Sequence, residues 1–187
     1  MATRSGSASA LLVVDVQVGV VAQAWERDRV VGNVSLAVCK ARAAGVPVLW
    51  VQHHDDELPP ESPAWQLVPE LEALRAELRI HKRYNSAFES TELLAQLDRL
   101  DVSRLFLVGA ATNWCIRATA YGALERGFDV TLISDAHTTQ DMEIEPGRVI
   151  EARSLVDDLN VAMCWLSYPG RSSAAEPIAE ATFVRAK

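Results

Sequence analysis

Short apolar runs without polar alternation limit most strongly how this chain can fold. Residues 11–14, 46–51 and 105–108 are almost entirely apolar, as in strands that are covered on both faces of a sheet. Between such runs, apolar residues recur at helical spacing, as over residues 30–44, which Gly45 closes. This alternation predicts an α/β fold: a single doubly wound, mostly parallel, six-stranded sheet with helices on both faces.

The remaining elements follow from the same patterns. Further strands are predicted at residues 78–81, 128–134 and 161–166. Ser90 is a candidate N-cap for a helix whose apolar face carries Leu93, Leu94, Leu97 and Leu100. Pro146 is placed in the first turn of a later helix, whose apolar positions are Val149, Ala152, Val156 and Leu159.

The length of the chain is that of one domain. We expect residues 1–187 to form a single domain with one core. Residues 1–9 are polar and are expected to be loose. Residues 171–187 are small and polar, and we interpret them as a tail or as an arm that contacts a neighbouring subunit.

Charge and cysteine content exclude several classes of protein. A net charge of −7 argues against nucleic acid and anionic membranes as partners, and no apolar stretch is long enough to span a bilayer. The three cysteines, Cys39, Cys115 and Cys164, have neither disulfide-framework nor metal-site spacing. We therefore expect reduced thiols in a soluble cytoplasmic protein, with Cys39 and Cys164 in the core.

Polar residues follow three of the predicted strands. Asp15 comes directly after residues 11–14, and Lys82 follows the strand at 78–81. Cys115 lies where the strand at 105–108 turns into a helix, whose first turn favours a thiolate. Because the carboxyl ends of parallel strands share one edge of the sheet, these three residues are expected to meet there.

Together, these residues have the chemistry of a hydrolase. Taken singly, Asp15 could cap a helix, Lys82 could belong to a solvated basic cluster, and Cys115 could be an inert core thiol. A thiol nucleophile needs a base and an electrostatic partner, which Asp15 and Lys82 would supply. Backbone N–H groups of Cys115 and of the turn at 109–113 are candidate donors to an oxyanion.

Three motifs carry these residues: Leu-Leu-Val-Val-Asp-Val-Gln at 11–17, Lys-Arg-Tyr-Asn-Ser-Ala-Phe at 82–88 and Val-Gly-Ala-Ala-Thr-Asn-Trp-Cys at 108–115. With Thr119, Gly127 and residues 134–136, they resemble the isochorismatase-like cysteine hydrolases, such as nicotinamidases, carbamoylsarcosine amidases, ureidoacrylate amidases and biuret hydrolases. The resemblance covers about residues 10–171. It implies a catalytic triad and an oxyanion hole beside a non-proline cis peptide at Ala110–Ala111. The implied triad is Asp15, Lys82 and Cys115, and the implied oxyanion donors are Ala111 and Cys115.

The resemblance implies an amidohydrolase that cleaves a small carboxamide, ureide or lactam through a thioester. Isochorismatases proper hydrolyse a vinyl ether and do not need the thiol, so that reaction is the first alternative. A non-catalytic or redox-sensing member that binds a metabolite is the second. The resemblance also implies a homodimer or homotetramer.

The implied cofactor content differs from that of the nicotinamidase branch. That branch binds a metal through an Asp-x-His pair and a further histidine after the second strand. Residues 52–56 read Gln-His-His-Asp-Asp here, without that order. We therefore expect no metal and no other cofactor, although a metal near His53 and Asp55 remains an alternative. His53 is interpreted as an orienting residue near the pocket, and His54 as a surface residue.

Candidate pocket residues lie close to the three motifs. Gln17 is expected to support the loop after Asp15. For the aromatic candidates, core packing is the alternative to substrate contact. Asn113 and Trp114 could instead face another subunit. The candidates for contact with a small amide-type substrate are Trp25, His53, Tyr84, Phe88, Asn113 and Trp114.

Overall fold

The computed structural model describes residues 4–184 and contains a six-stranded, wholly parallel sheet with helices on both faces. The elements in chain order are β1 (Ala8–Val14), α1 (Arg27–Ala43), β2 (Val48–His53), β3 (Leu78–Lys82), α2 (Leu93–Arg99), β4 (Val102–Ala110), a π-helical turn (Thr112–Ile116), α3 (Arg117–Glu125), β5 (Asp129–Thr138), β6 (Met142–Glu145), β7 (Arg148–Ile150), α4 (Ala152–Trp165) and β8 (Ser173–Glu176). The strand order is β3-β2-β1-β4-β5-β8, and β6 and β7 form a separate antiparallel hairpin. The predicted fold class is confirmed.

The central strand β1 is covered on both faces, as its sequence predicts. Leu11 and Val13 belong to a core cluster that contains the apolar side of α1. Leu12 and Val14 belong to a second cluster that includes residues of α2, α3 and α4. The chain winds outward from β1 in both directions, so the sheet has its topological switch point at the carboxyl ends of β1 and β4.

A close contact between β4 and β1 sets the geometry of that switch point. Gly109 has φ +126°, and a Cβ on this residue would lie 1.9 Å from the carbonyl oxygen of Val14. Only glycine permits this approach. Asp15, the first residue after β1, also has a positive φ of 52°. Gly109 therefore fixes how closely the turn after β4 approaches Asp15.

The C-terminal third differs from the predicted elements. Residues 161–166 belong mostly to α4 rather than to a strand, and Val156, Leu159 and Met163 form the buried side of that helix. A short apolar run has no periodicity that separates a strand from a helix, which explains the error. Pro146 lies in the turn between β6 and β7, not at a helix start.

The last strand of the sheet lies within the predicted tail. β8 pairs with β5, and the chain after it packs on the first core cluster through Ile178, Ala181 and Phe183. Lys40 Nζ donates to the carbonyl oxygens of Ile178 and Ala181 at 2.6 and 3.1 Å. The prediction of a tail or arm is therefore wrong for residues 171–184, because this segment completes both the sheet and the core. Residues 185–187 lie outside the described chain.

The N-terminal residues are anchored rather than loose. The N–H groups of Ser7 and Ala8 donate to the Asp101 carbonyl oxygen, and Arg4 Nε donates to the Val102 carbonyl oxygen at 3.1 Å. The Arg4 guanidinium also lies 3.9 Å from the ring centre of Phe128. The prediction of a loose segment is therefore wrong for residues 4–9, and residues 1–3 lie outside the described chain.

Three smaller predictions are wrong. Ser90 has φ 54° and does not cap α2; the Thr91 hydroxyl accepts from the Leu93 N–H at 3.2 Å instead. Cys39 and Cys164 are exposed rather than core residues. Cys39 follows the buried Val38 on α1, so its side chain points about 100° away from the apolar stripe. Among residues 4–184, no helix combines the length and apolarity needed to cross a bilayer.

Because the C-terminal segment packs on the core, Phe183→Ala is predicted to destabilise the folded protein. The Phe183 ring is 8% exposed and lies 4.4 Å, centre to centre, from the Phe106 ring. We expect the substitution to lower the free energy of unfolding by about 3 kcal/mol, measured by urea denaturation. The neighbouring Val184→Ala, at a side chain that is 55% exposed, is the control and should change it by less than about 0.5 kcal/mol. Equal, small effects would restore the tail interpretation.

Candidate active site

The carboxyl edge of the sheet brings together the three polar residues that the sequence singles out. Asp15 leaves β1, Lys82 ends β3, and Cys115 lies in the π-helical turn after β4. Lys82 Nζ lies 2.7 Å from Asp15 Oδ2 and donates to Cys115 Sγ at 3.2 Å. The ammonium group therefore lies between the carboxylate and the sulfur.

This cluster is buried and its carboxylate is only partly satisfied. Asp15 and Lys82 are each 1% exposed, and Cys115 is 9% exposed. Among residues 4–184, Lys82 is the one charged partner of the Asp15 carboxylate, at 2.7 Å from Oδ2, and no further hydrogen bond satisfies the two carboxylate oxygens. A buried carboxylate with free lone pairs is a strong proton acceptor.

The electrostatics of the cluster keep the thiol protonated at rest. Burial raises the pKa of Asp15 above its ordinary value, while the positive charge of Lys82 acts in the opposite direction. Burial and the negative charge of Asp15 raise the pKa of Cys115 to about 12, again opposed by Lys82. Burial and Asp15 therefore shift the pKa in the direction opposite to the effect expected of the helix start. The sulfur must lose its proton as it reacts.

His53 also contacts the ammonium group. Its Nδ1 lies 3.4 Å from Lys82 Nζ, and its Nε2 lies 3.0 Å from Asp55 Oδ2. Gln17 holds the His53 backbone in place: its Nε2 donates to the His53 carbonyl oxygen and its Oε1 accepts from the His53 N–H. Gln17 thereby connects the loop after Asp15 to the end of β2, in the supporting position that the sequence predicts.

Comparison with known proteins identifies the family. A family model described as the isochorismatase domain matches residues 9–151, which is more than half of the 187 residues. The chain belongs to the isochorismatase family. The resemblance found in the three motifs is thereby confirmed.

Individual relatives extend over most of the chain. A streptothricin hydrolase of Streptomyces noursei is 37% identical over 145 residues, 73% of this chain and 52% of that protein. The isochorismatase-family protein YecD of Escherichia coli O157:H7 is 30% identical over 179 residues, 81% of this chain and 95% of its own. A solved isochorismatase of Pseudomonas putida KT2440 superimposes with a TM-score of 0.82 at 26% identity, over 91% of this chain and 88% of that one. The chain spans about half the length of the streptothricin hydrolases that it matches.

The remaining pocket candidates of this isochorismatase-family chain fall into two groups. Tyr84 and Trp114 are about half exposed at the surface. Phe88 is buried in the second core cluster, 5.9 Å from the Phe128 ring, which is the core-packing alternative. Sequence reasoning missed Asn85, whose Oδ1 lies 4.0 Å from Cys115 Sγ. Its position inside the Lys82 motif was the available signal.

Trp25 and Asn113 are linked to the end of β5. The Trp25 N–H donates to the Thr139 carbonyl oxygen at 2.8 Å, and its carbonyl oxygen accepts from the Thr138 hydroxyl at 2.6 Å. The Thr139 hydroxyl donates to Asn113 Oδ1 at 2.7 Å. Trp25 also lines a cavity of about 270 Å³ with Gln23, Gln140 and Asp141. The loop that carries Trp25 is thus tied to the cysteine turn through β5.

A larger cavity lies at the other edge of the sheet. It measures about 500 Å³ and is lined by residues that include Ser9, Val48, Leu78 and Leu100. Ser9, Val48 and Leu78 lie at or near the amino ends of β1, β2 and β3, and Leu100 shortly precedes β4, whereas the triad lies at the carboxyl ends. This cavity is therefore separate from the candidate active site.

The residues after β2 do not fit a metal site. Both ring nitrogens of His53 are engaged, one by Asp55 and the other by the positively charged Lys82. A cation beside that nitrogen would be repelled by the ammonium group. Among residues 4–184, no group of three or more His, Cys, Asp or Glu side chains is placed to hold a metal ion.

A buried hydrogen-bond network, also missed from the sequence, holds the cysteine turn. The Thr112 hydroxyl contacts His137 Nδ1 at 2.9 Å, and His137 Nε2 contacts Asn160 Oδ1 at 3.0 Å. Asn160 Nδ2 donates to the Ser134 carbonyl oxygen at 3.0 Å. Burial lowers the pKa of His137 to about 4, so the ring is neutral and donates from Nε2 while Nδ1 accepts. The network fixes the turn against β5 and α4.

The His137 network predicts a pH-dependent stability. Because burial lowers the pKa of His137 from 6.5 to about 4, the unfolded chain binds a proton at higher pH than the folded one. The His137 contribution is therefore complete above its unfolded pKa and is lost as the pH falls towards the folded one, by about 3 kcal/mol in all. Urea unfolding of the wild type and of His137→Gln over this pH range measures the loss.

Carboxyl groups titrate in both proteins, so the difference between wild type and variant isolates His137. The wild type should lose free energy of unfolding more steeply than His137→Gln as the pH decreases. Parallel curves for the two proteins would contradict a buried, neutral His137.

Proposed function

We propose that this protein is a cysteine-nucleophile amidohydrolase that cleaves a small carboxamide, ureide or lactam. The observation that carries the proposal is the buried contact of a carboxylate, an ammonium group and a thiol, with Lys82 Nζ at 2.7 Å from Asp15 Oδ2 and 3.2 Å from Cys115 Sγ. These are the base, the electrostatic partner and the nucleophile that covalent acyl transfer needs.

The first half of the reaction forms a thioester. Asp15 accepts the thiol proton as Cys115 Sγ attacks the carbonyl carbon, because the raised pKa of the thiol favours its protonated form before the reaction. Lys82 remains protonated and stabilises the negative charge that moves between sulfur and carboxylate. Asp15 then donates its proton to the nitrogen of the leaving group, the C–N bond breaks, and ammonia or an amine departs.

The proposed oxyanion hole consists of the N–H groups of Ala111 and Cys115. The Ala110–Ala111 peptide is cis, and the Ala111 carbonyl oxygen accepts from the N–H groups of Trp114 and Ile116. The Ala111 peptide is thus held at the start of the turn that carries the sulfur. Two N–H groups directed at the developing oxyanion would stabilise both tetrahedral intermediates.

The second half of the reaction releases the acid. A water molecule gives its proton to the Asp15 carboxylate and attacks the thioester carbon. The C–S bond then breaks, the sulfur takes the proton back, and the carboxylic acid leaves. The net reaction consumes one water molecule and releases one carboxylic acid and one ammonia or amine, and the enzyme returns to its resting state with Cys115 as a thiol.

Two observations favour amide chemistry over hydrolysis of an isochorismate-like vinyl ether. The streptothricin hydrolase relative, which is 37% identical over 145 residues, is named for hydrolysis of streptothricin. Recognition of an isochorismate-like acid would favour arginines at the rim. Arg117, however, is paired with Asp158 at 2.5 Å, and the Arg83 side chain is 61% exposed beside Asp56. Release of ammonia or amine, rather than pyruvate, distinguishes the two reactions.

A redox-sensing role has less support. Sensor cysteines are exposed and have low pKa values. Cys115 is 9% exposed and its pKa is raised.

The proposed mechanism predicts that Cys115→Ala abolishes turnover while the protein stays folded. A panel of small amides, ureides and lactams, including a streptothricin, is assayed for ammonia or amine release. With the nucleophile removed, we expect the rate to decrease by at least about 1000-fold, with an unchanged circular dichroism spectrum. Cys39→Ala, at an exposed thiol on α1, is the matched control and should keep the wild-type rate. Wild-type turnover by Cys115→Ala would remove the nucleophile assignment.

The mechanism also predicts the acid limb of the pH profile. Asp15 must be ionised to accept the thiol proton, and burial raises its pKa above the ordinary value of 3.8. Activity, measured as kcat/KM, should therefore decline as the pH falls through a midpoint above that value. A kcat/KM that stays constant as the pH falls to the ordinary pKa of 3.8, in protein shown to be folded, would exclude Asp15 as the base.

A further inference from the structure

The surroundings of the Lys82 ammonium group show a fourth participant in the site. An ammonium group has three N–H donors and no acceptor. Around Lys82 Nζ lie Asp15 Oδ2 at 2.7 Å, Cys115 Sγ at 3.2 Å and His53 Nδ1 at 3.4 Å. Each donor thus has one group to face, and His53 supplies the third.

The tautomer of His53 follows from its other neighbour. Asp55 is ionised, since hydrogen bonds from His53 and from the Leu58 N–H lower its pKa. A carboxylate only accepts, so the His53 Nε2, 3.0 Å from Asp55 Oδ2, carries the proton. His53 Nδ1 then has a free lone pair directed at the ammonium group. With the tautomer reversed, two donors would face each other at this contact.

Asp55 itself is held by its own loop. Its Oδ1 accepts from the N–H groups of Glu57 and Leu58 at 2.9 and 2.7 Å, which leaves Oδ2 for His53. The His53 backbone is held by Gln17, which is fully buried. Both the backbone and the ring of His53 are therefore fixed before substrate arrives.

We propose that His53, oriented by Asp55, is a positioning residue whose Nδ1 holds the Lys82 ammonium group between Asp15 and Cys115. This inference rests on the proposed function, because it assigns Lys82 the task of stabilising charge on sulfur and carboxylate. His53 and Asp55, which could otherwise suggest a metal site, form a hydrogen-bonded pair that contacts the Lys82 ammonium group. A misplacement of the ammonium group by about 1 Å is enough to reduce catalysis about 100-fold.

Two amide substitutions separate the two hydrogen bonds of the ring. His53→Asn places an amide oxygen near the position of Nδ1 and keeps an acceptor for Lys82. His53→Gln places its amide near the position of Nε2, so it keeps a donor for Asp55 and leaves Lys82 without its third partner. His54→Gln is the matched control, since His54 lies next in the chain and its ring faces His81 instead.

Two readouts are measured on each variant. The first is kcat and KM for the best substrate of the amide panel. The kcat of His53→Gln should be about 10- to 100-fold below that of the wild type, with little change in KM. The kcat of His53→Asn should be within about 3-fold of the wild-type value. The second is the rate of Cys115 alkylation by iodoacetamide, followed by peptide mass spectrometry so that the exposed Cys39 and Cys164 do not interfere. It should decrease in His53→Gln and recover in His53→Asn, because Lys82 favours the thiolate.

The outcomes separate this inference from the proposed function. If the alkylation pattern holds and even the wild type cleaves no amide, His53 positions Lys82 but the amidohydrolase proposal fails. Equal rates for wild type and His53→Gln, or an His53→Asn variant as slow as His53→Gln, would overturn the positioning role. Calorimetric titration with Zn²⁺ adds a third test: stoichiometric binding that His53→Gln abolishes would show a metal site instead.

Discussion

The buried ion pair of Lys82 and Asp15 is the interaction on which the site depends. Two charges that are each 1% exposed are expensive to desolvate, and removing one partner of such a pair typically costs about 3–5 kcal/mol. The pair joins the end of β3 to the exit of β1 across the intervening β2. Its formation therefore requires three strands in register, and the fold and the reactive geometry are achieved together.

The sequence was sufficient to predict the carboxyl edge of the sheet. The short strands β1 and β4 are apolar and are followed by polar residues, β3 ends at Lys82, and parallel strands leave few alternatives for where those residues meet. Asp15, Lys82 and Cys115 could be placed together for this reason. The prediction weakened where periodicity was ambiguous: residues 161–166 fit a strand by composition, yet they extend α4.

Other features lie beyond what local patterns can show. The Thr112–His137–Asn160 network joins residues more than 20 positions apart, through hydrogen bonds that leave no periodic signal in the chain. The raised pKa of Cys115 depends on how deeply the thiol is buried and on how near Asp15 lies, and the sequence alone suggested the opposite direction from the helix start. The residues after Gly170 are small and polar and carry no strand pattern, because β8 lies at the edge of the sheet, where few apolar side chains are needed.

The late position of β8 has a consequence for biosynthesis. A protein emerges from the ribosome N-terminus first, and β5 is complete some 35 residues before β8 appears. During that interval the nascent sheet presents the open backbone of β5, which is the kind of edge that other chains can pair with. Slow translation or premature termination in this stretch would therefore yield aggregation-prone intermediates even though every group of the reactive cluster had already been synthesised.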